Sequence, residues 1–267
     1  MSRRVAIVIG AGRGIGAATA AQLAARGDAV VLVDRAGDDP RLPYPLASAE
    51  DLAAAVEHAR AAAPDAALVT GATADATDEE ALRAIVAQAE ADHGGLDAVV
   101  VTAGVIAGGV PLWEMPPAEL RAVIDVNLGA AITAARVGIP ALLRRPAPRH
   151  GRFVAVASAA ATRGLPMLAA YGAAKAGVVG LVRGLAAELR GTGVTANAVS
   201  PGSTDTPILA ETARLYALAS ADAFAAQQPI ERLIAAEEVA RVIAFLAGPD
   251  AGALTGGDHP VDGGLSV

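Results

Sequence analysis

The stretch YGAAKAG, Tyr171 to Gly177, holds the only lysine among 21 basic residues, four positions after one of just three tyrosines. Its Ala-rich surroundings predict a helix, and residues four apart on a helix share one face, about one turn apart. A lysine ammonium is compact, with three rotatable donors, and can approach another group more closely than a guanidinium can. A tyrosine hydroxyl titrates at about pH 10, and a fixed positive charge beside it favours the phenolate. A Tyr171–Lys175 pair is therefore equipped for general acid/base work on a hydroxyl or carbonyl oxygen. Taken alone, the same spacing also fits an incidental lysine on a helix surface, so the rest of the chain has to decide.

A second chemical signal lies near the start. The apolar run VAIVI ends in GAGRGIG, and a helix is expected to follow at once. Gly10, Gly12, Gly14 and Gly16, with Arg13 and Ile15 between them, permit a tight turn and bring backbone N–H groups to a helix N-terminus, where a pyrophosphate binds well. Asp34 ends the next apolar run, 18 residues after Gly16. A carboxylate there accepts hydrogen bonds from the adenosine ribose and repels a 2′-phosphate, favouring NAD over NADP. Arg13 and Arg35 pull the other way. Asp34 prevails, because a carboxylate facing the ribose disfavours an added dianion, whereas Arg13 can turn to solvent or to the pyrophosphate.

These groups need a scaffold. The 267 residues, 54% of them hydrophobic, suffice for one α/β domain with a substantial core. Strands are expected at 5–9, 29–33, 66–70, 97–101, 152–157 and 194–199, with a last one near 259–261. Helices are expected at about 14–26, 49–62, 78–92, 117–143, 171–190 and 236–247. Uncharged strands alternating with helices mean a doubly wound parallel sheet of about seven strands, covered on both faces. Ser48 with Asp51, and Thr77 with Glu80, read as capping boxes. There are no cysteines, which removes disulfides and thiolate chemistry, and the four scattered histidines show no metal-ligand spacing. A net charge of −7 speaks against a nucleic-acid surface. The start MSRRVAIVIGAGRGIG has a basic end and an apolar run, as a signal peptide does, but Arg13 and four glycines interrupt it. The uncharged stretch 98–112 is too short and Gly-rich to span a bilayer. The expectation is a cytoplasmic protein that binds neither nucleic acid nor membrane.

With GAGRGIG, TAG (Thr102, Ala103, Gly104), VIDVNLGA, the Ser158-to-Tyr171 segment and NAVSPGSTDTP in this order, the chain resembles the short-chain dehydrogenase/reductase family over nearly its whole length. The loop matches the family's Gly-x3-Gly-x-Gly pattern, and Thr102 stands where the family usually has Asn. The resemblance implies a single Rossmann domain, residues 1–267, and an NAD-dependent oxidoreductase that moves a hydride between a secondary alcohol and its ketone. It implies Tyr171 as proton carrier and Lys175 as its partner and as a ligand of the nicotinamide ribose. Ser158 is implied as donor to the substrate oxygen, and Asn127 as holder of a water that links Lys175 to solvent. Asp75 and Ala76 are expected beside the adenine. Thr102, Ala103 and Gly104, together with Pro201, Gly202, Thr204 and Thr206, are expected along the dinucleotide, Thr206 at the carboxamide. A homotetramer is also implied.

One departure is the longer connection after Asp34, about 36–47, which contains Pro40, Pro43 and Pro45. It resembles the mycofactocin-associated, carveol-dehydrogenase-like subgroup, which implies tightly held NAD reoxidised by mycofactocin. The segment is expected to fold over the adenosine half, away from Tyr171 and Lys175. Residues 205–228 are expected to form a lid, and with Ile106, Trp113, Leu165 and Met167 to suit an apolar terpenoid or alicyclic substrate. Two other readings stay open: an NADPH-dependent biosynthetic ketoreductase, and a non-catalytic dinucleotide sensor.

Overall fold

The apolar runs become β1 (Val5–Ile9), β2 (Ala29–Asp34), β3 (Val69–Thr73), β4 (Ala98–Val101), β5 (Arg152–Val156), β6 (Thr195–Pro201) and β7 (Asp258–Val261) in a computed structural model that describes residues 3–267. Met1 and Ser2, part of the basic start, lie outside the described residues. All seven strands are parallel, in the order β3-β2-β1-β4-β5-β6-β7. The chain reverses direction across the sheet between β1 and β4. At such a switch point a crevice opens at the carboxyl ends of the strands.

The described residues form eight helices, α1 (Gly14–Ala25), α2 (Ala49–Ala62), α3 (Glu79–His93), α4 (Pro117–Ile124), α5 (Ala130–Arg144), α6 (Ala169–Glu188), α7 (Pro207–Leu215) and α8 (Ala236–Leu246), and all but α4 and α7 pack on the sheet. On one face Leu82, Val137 and Val182 of α3, α5 and α6 meet Val99 and Phe153. On the other, Leu23, Val56 and Ile243 of α1, α2 and α8 meet Val8, Leu32 and Val154. Full burial of one such side chain contributes about 1.5–3 kcal/mol. Small residues let the layers close up: a Cβ at Gly138 would stand 2.6 Å from Val99 Cγ2, so α5 can lie against β4 only with glycine there.

Two of the boundaries that differ from the sequence reading have a capping cause. The third strand starts at Val69 rather than at 66, because the Asp65 carboxylate accepts from the Ala67 N–H at 3.1 Å and closes Ala66–Leu68 into a 3-10 turn. The cap of α3 is Asp78, not Thr77: Asp78 accepts from the Glu80 and Ala81 N–H groups, each at 3.0 Å, while the Thr77 hydroxyl turns to Asp75. The capping box at α2 forms as read, with Ser48 and Asp51 each accepting from the other's N–H. The helix expected at 117–143 is α4 and α5 joined through a π-helical turn, Asp125–Gly129. Among the described residues this joined helix, Pro117–Arg144, is long and apolar enough to cross a membrane. Half of its most apolar window is buried within the domain.

Candidate active site

The crevice is a cavity of about 650 Å³ whose wall runs from Asp34 and Asp75 to Tyr216 and Phe224. At one end lies the glycine loop. Its backbone is tied to β2 by the Gly10 and Ala11 N–H groups, which donate to the Val33 carbonyl at 2.8 and 3.0 Å. Gly10 has a φ of 88°, and a Cβ at Gly16 would overlap the Gly10 carbonyl oxygen, so the turn requires glycine at both places. Thr102, in place of the family's Asn, sets its hydroxyl between the Ile9 and Gly10 carbonyls, at 3.0 and 2.9 Å, and braces the loop from below. Arg13 caps α1 without a side-chain hydrogen bond to the first turn. The first N–H groups of that helix therefore stay free for an anion.

Asp34 is held in place by the Gly12 N–H at 2.8 Å and the Ala36 N–H at 3.1 Å. The two arginines that argued for NADP have partners inside the chain. Arg35 pairs with Asp39 at 3.1 Å and Asp75 at 3.4 Å, and Arg13 donates to the Pro45 carbonyl at 3.1 Å. Of the site residues read from the sequence, Gly10, Arg13 to Gly16, Asp34, Arg35, Asp75, Ala76, Thr102 to Gly104, Ser158, Tyr171, Lys175, Pro201, Gly202, Thr204 and Thr206 all line this cavity. Gly12 and Asn127 lie one layer behind it.

Ser158, Tyr171 and Lys175 meet midway along the wall. β5 delivers Ser158 just past its end, and α6 carries the other two on one face. Lys175 is 3% exposed and donates to the Val156 carbonyl at 2.9 Å; its Nζ lies 5.8 Å from the centre of the Tyr171 ring. The acid–base balance differs from the sequence reading. Burial raises the Tyr171 phenol above its usual value, and a hydrogen bond from Ser158 only partly offsets this. The ammonium lies over the ring, and burial brings Lys175 down to about 8. Asn127, on the π-helical turn, donates to the Val105 and Val123 carbonyls, each at 2.8 Å. Gly104 joins it to the lysine: a Cβ there would stand 3.0 Å from Asn127 Oδ1 and 3.5 Å from Lys175 Nζ.

The insertion does not stay at the adenosine end. Asp39 is buried and accepts from the Arg41 side chain at 2.9 and 2.7 Å, and Arg41 reaches on to Asp125 at 2.6 Å. Leu42, Tyr44 and Leu46 join an apolar cluster with Val105, Met115 and Tyr171, so the segment bridges to the catalytic end. Tyr44 also accepts from the Ile106 N–H at 2.9 Å. Across the cleft, α7 and the 3-10 turn Ala221–Gln227 occupy the expected lid region, and Tyr216 and Phe224 meet edge to face. Ile106 and Leu165 line the cavity, but Trp113 is 85% exposed, Met167 is 45% exposed, and neither lines it. Sequence reading missed Tyr44, Arg163 and Gln228. The last is buried and fixes the strand-to-lid connection by accepting from the Ser203 N–H at 2.9 Å and donating to the Arg232 carbonyl at 2.7 Å. Only Tyr44 gave a signal, as one of three tyrosines in the chain.

A family model described as enoyl-(acyl carrier protein) reductase matches residues 10–266. The chain is 40% identical over 267 residues to a cis-4-hydroxycyclohexanecarboxylate dehydrogenase of Sinomonas cyclohexanicum, covering 100% of this chain and 98% of that protein. It is 33% identical to a 2-dehydro-3-deoxy-L-rhamnonate dehydrogenase (NAD(+)) of Sphingomonas sp. (strain SKA58), covering 99% and 96%. In structure it is similar to carveol dehydrogenase from Mycobacterium avium in complex with NAD, with a TM-score of 0.90, 30% identity and 99% and 98% of the two chains covered. With the glycine loop, Ser158, Tyr171 and Lys175 on one cavity wall and these matches over the whole chain, the protein belongs to the short-chain dehydrogenase/reductase family.

Proposed function

We propose that the protein oxidises the secondary hydroxyl of an alicyclic alcohol to the ketone with NAD, and runs the reverse reduction when the ketone is in excess. It is an oxidoreductase of CH–OH groups, and the NAD named for two of its relatives supports the same cofactor here. The residues fit that cofactor: the uncapped first turn of α1 suits a pyrophosphate, and the anchored Asp34 suits an unphosphorylated ribose. The bound dinucleotide supplies a hydride acceptor at its nicotinamide. Tyr171 accepts the hydroxyl proton, and Ser158 donates to the substrate oxygen and steadies its developing charge. Lys175 holds the nicotinamide ribose and, with Asn127 beside it, passes the proton toward solvent. Leu165, Leu209, Tyr216, Leu218 and Phe224 give the substrate end an apolar wall that suits a carbocyclic ring.

The observation that carries this reading is the meeting of Ser158, Tyr171 and Lys175 on a wall that also holds Asp34 and the glycine loop. The packed insertion supports NAD that stays bound through turnover and is reoxidised in place by mycofactocin. Exposed Ile132 on α5 and Phe245 on α8 support association into a homotetramer, and the lack of cysteine suits the reducing cytoplasm. The test strips the purified protein of nucleotide, reloads it with NAD or NADP at equal concentration, adds a panel of cyclohexanols and follows the first turnover. Reduction of NAD at least ~10-fold faster than of NADP is expected, the discrimination an unfavourable charge contact produces. Preference for NADP would replace this reading with the ketoreductase one.

A further inference from the structure

Four cations line the cavity, and three are accounted for by groups already described. Lys175 is buried against Tyr171, Arg35 is paired with Asp39 and Asp75, and Arg13 donates to Pro45 at the dinucleotide end. Arg163, exposed and, like Arg13, bonded only to a backbone carbonyl, stands apart by its place at the substrate end. It follows Ser158 by five residues on the loop that carries Leu165 and Pro166 into the substrate end. Its N–H donates to the Ala159 carbonyl at 2.9 Å, which fixes this backbone relative to Ser158. The Arg163 guanidinium donates to the Leu265 carbonyl and forms no ion pair among the described residues. The acids on the cavity wall are Asp34 and Asp75, both at the adenosine end.

We propose that Arg163 binds a carboxylate on the substrate, and that the preferred substrates are alicyclic hydroxy acids rather than neutral ring alcohols. This rests on the dehydrogenase reading above and names its substrate class. An anion entering an apolar pocket gives up hydration, and a charged donor is needed to offset that loss. A guanidinium fork matches the two oxygens of a carboxylate, and one donor spent on Leu265 leaves the others for a ligand. Ser158 and Tyr171 then hold the hydroxyl at one side of the ring while Arg163 holds the acid at the other. Two attachments fix which C–H faces the nicotinamide, where a purely apolar wall would let the ring turn. The relatives do not decide between acid and neutral alcohol, since two are named for acids and the third for carveol. Arg163 decides it for this chain.

The test is independent of turnover. Cyclohexanecarboxylate and cyclohexanecarboxamide have the same ring and no hydroxyl to oxidise, and each is titrated by calorimetry into protein loaded with NADH. The acid is expected to bind at least ~10-fold more tightly than the amide, as a charge-assisted hydrogen bond supplies, and less so at high salt. Arg163→Gln keeps a donor for Leu265 but loses the charge; the preference should fall to about one there and partly return in Arg163→Lys. Equal affinity of wild-type protein for acid and amide, or a preference that Arg163→Gln leaves intact, overturns the proposal. If cyclohexanols fail to reduce NAD but the Arg163-dependent preference persists, the carboxylate site is supported and the alcohol chemistry falls. If cyclohexanols reduce NAD and no preference exists, the alcohol chemistry stands and the carboxylate site falls.

Discussion

Lys175 combines two demands that oppose each other: in the proposed reaction its charge holds the nicotinamide ribose, and its burial disfavours that charge. With no acid beside it, its folded pKa of about 8 lies below the ordinary lysine value of 10.5. Below about pH 8 both the folded and unfolded chains hold the proton, and the folded state bears the full penalty of a buried charge. Between about 8 and 10.5 the folded chain has released a proton that the unfolded chain still binds, so stability rises with pH across that window. Lys175→Met keeps the aliphatic stem and removes the charge. It should raise the free energy of unfolding at pH 7 by about 3 kcal/mol at most, with the gap closing toward pH 10, while turnover is lost. Denaturant titrations at the two pH values check this; a destabilised Met variant, or a gap that does not change with pH, would contradict the burial argument.

At the scale of elements, the insertion after β2 matters most, because it joins the two ends of the cavity. Its hub is Asp39, buried under Arg41 and Arg35, whose carboxyl the Arg41 hydrogen bond holds down at about 2. The stability this pair provides is complete above the ordinary carboxylate value of 3.8 and is lost as pH falls toward 2. Asp39→Asn removes the buried counter-charge, though Arg41 keeps Asp125 and Arg35 keeps Asp75, and should destabilise the chain by about 2 kcal/mol. It should also release Arg35 beside the ribose, so that NADH dissociates several-fold faster and the preference for NAD over NADP narrows. Stopped-flow release of NADH and the two cofactor affinities read this directly; wild-type values for both would mean the insertion is only surface. The links from this hub to the rest of the site were not legible in the sequence, because they are long-range: Arg41 and Asp125 are 84 positions apart, and Tyr44 and Ile106 are 62 apart. The glycine loop, Asp34 and the Tyr171–Lys175 pair were legible, because each is a short-range pattern with a local physical meaning. The start of β3 and the cap of α3 were misread where Asp65 and Asp78 offered the backbone a nearer partner than expected.

For the whole molecule, the parallel sheet and its two covered faces followed from the alternation of apolar runs and Ala-rich helices, while the cavity's shape depended on which loops meet above the sheet. Arg163, Tyr216 and Leu265 come together there from three separate segments, and no spacing announces that. The proposed homotetramer belongs to this scale as well. Light scattering at micromolar concentration should give four times the chain mass of 26.4 kDa, and Phe245→Asp on α8 should lower it; a monomeric wild-type mass would contradict the assembly. The central claim is that hydride transfer to NAD in this cavity depends on the Tyr171 hydroxyl. The direct measurement compares wild type and Tyr171→Phe for turnover of a cyclohexanol at saturating NAD, with NADH affinity measured on the same samples by fluorescence. Turnover should fall by at least ~10²-fold while NADH affinity stays within a factor of about two, the range for loss of a general base. Turnover of Tyr171→Phe within a few-fold of wild type would contradict the claim.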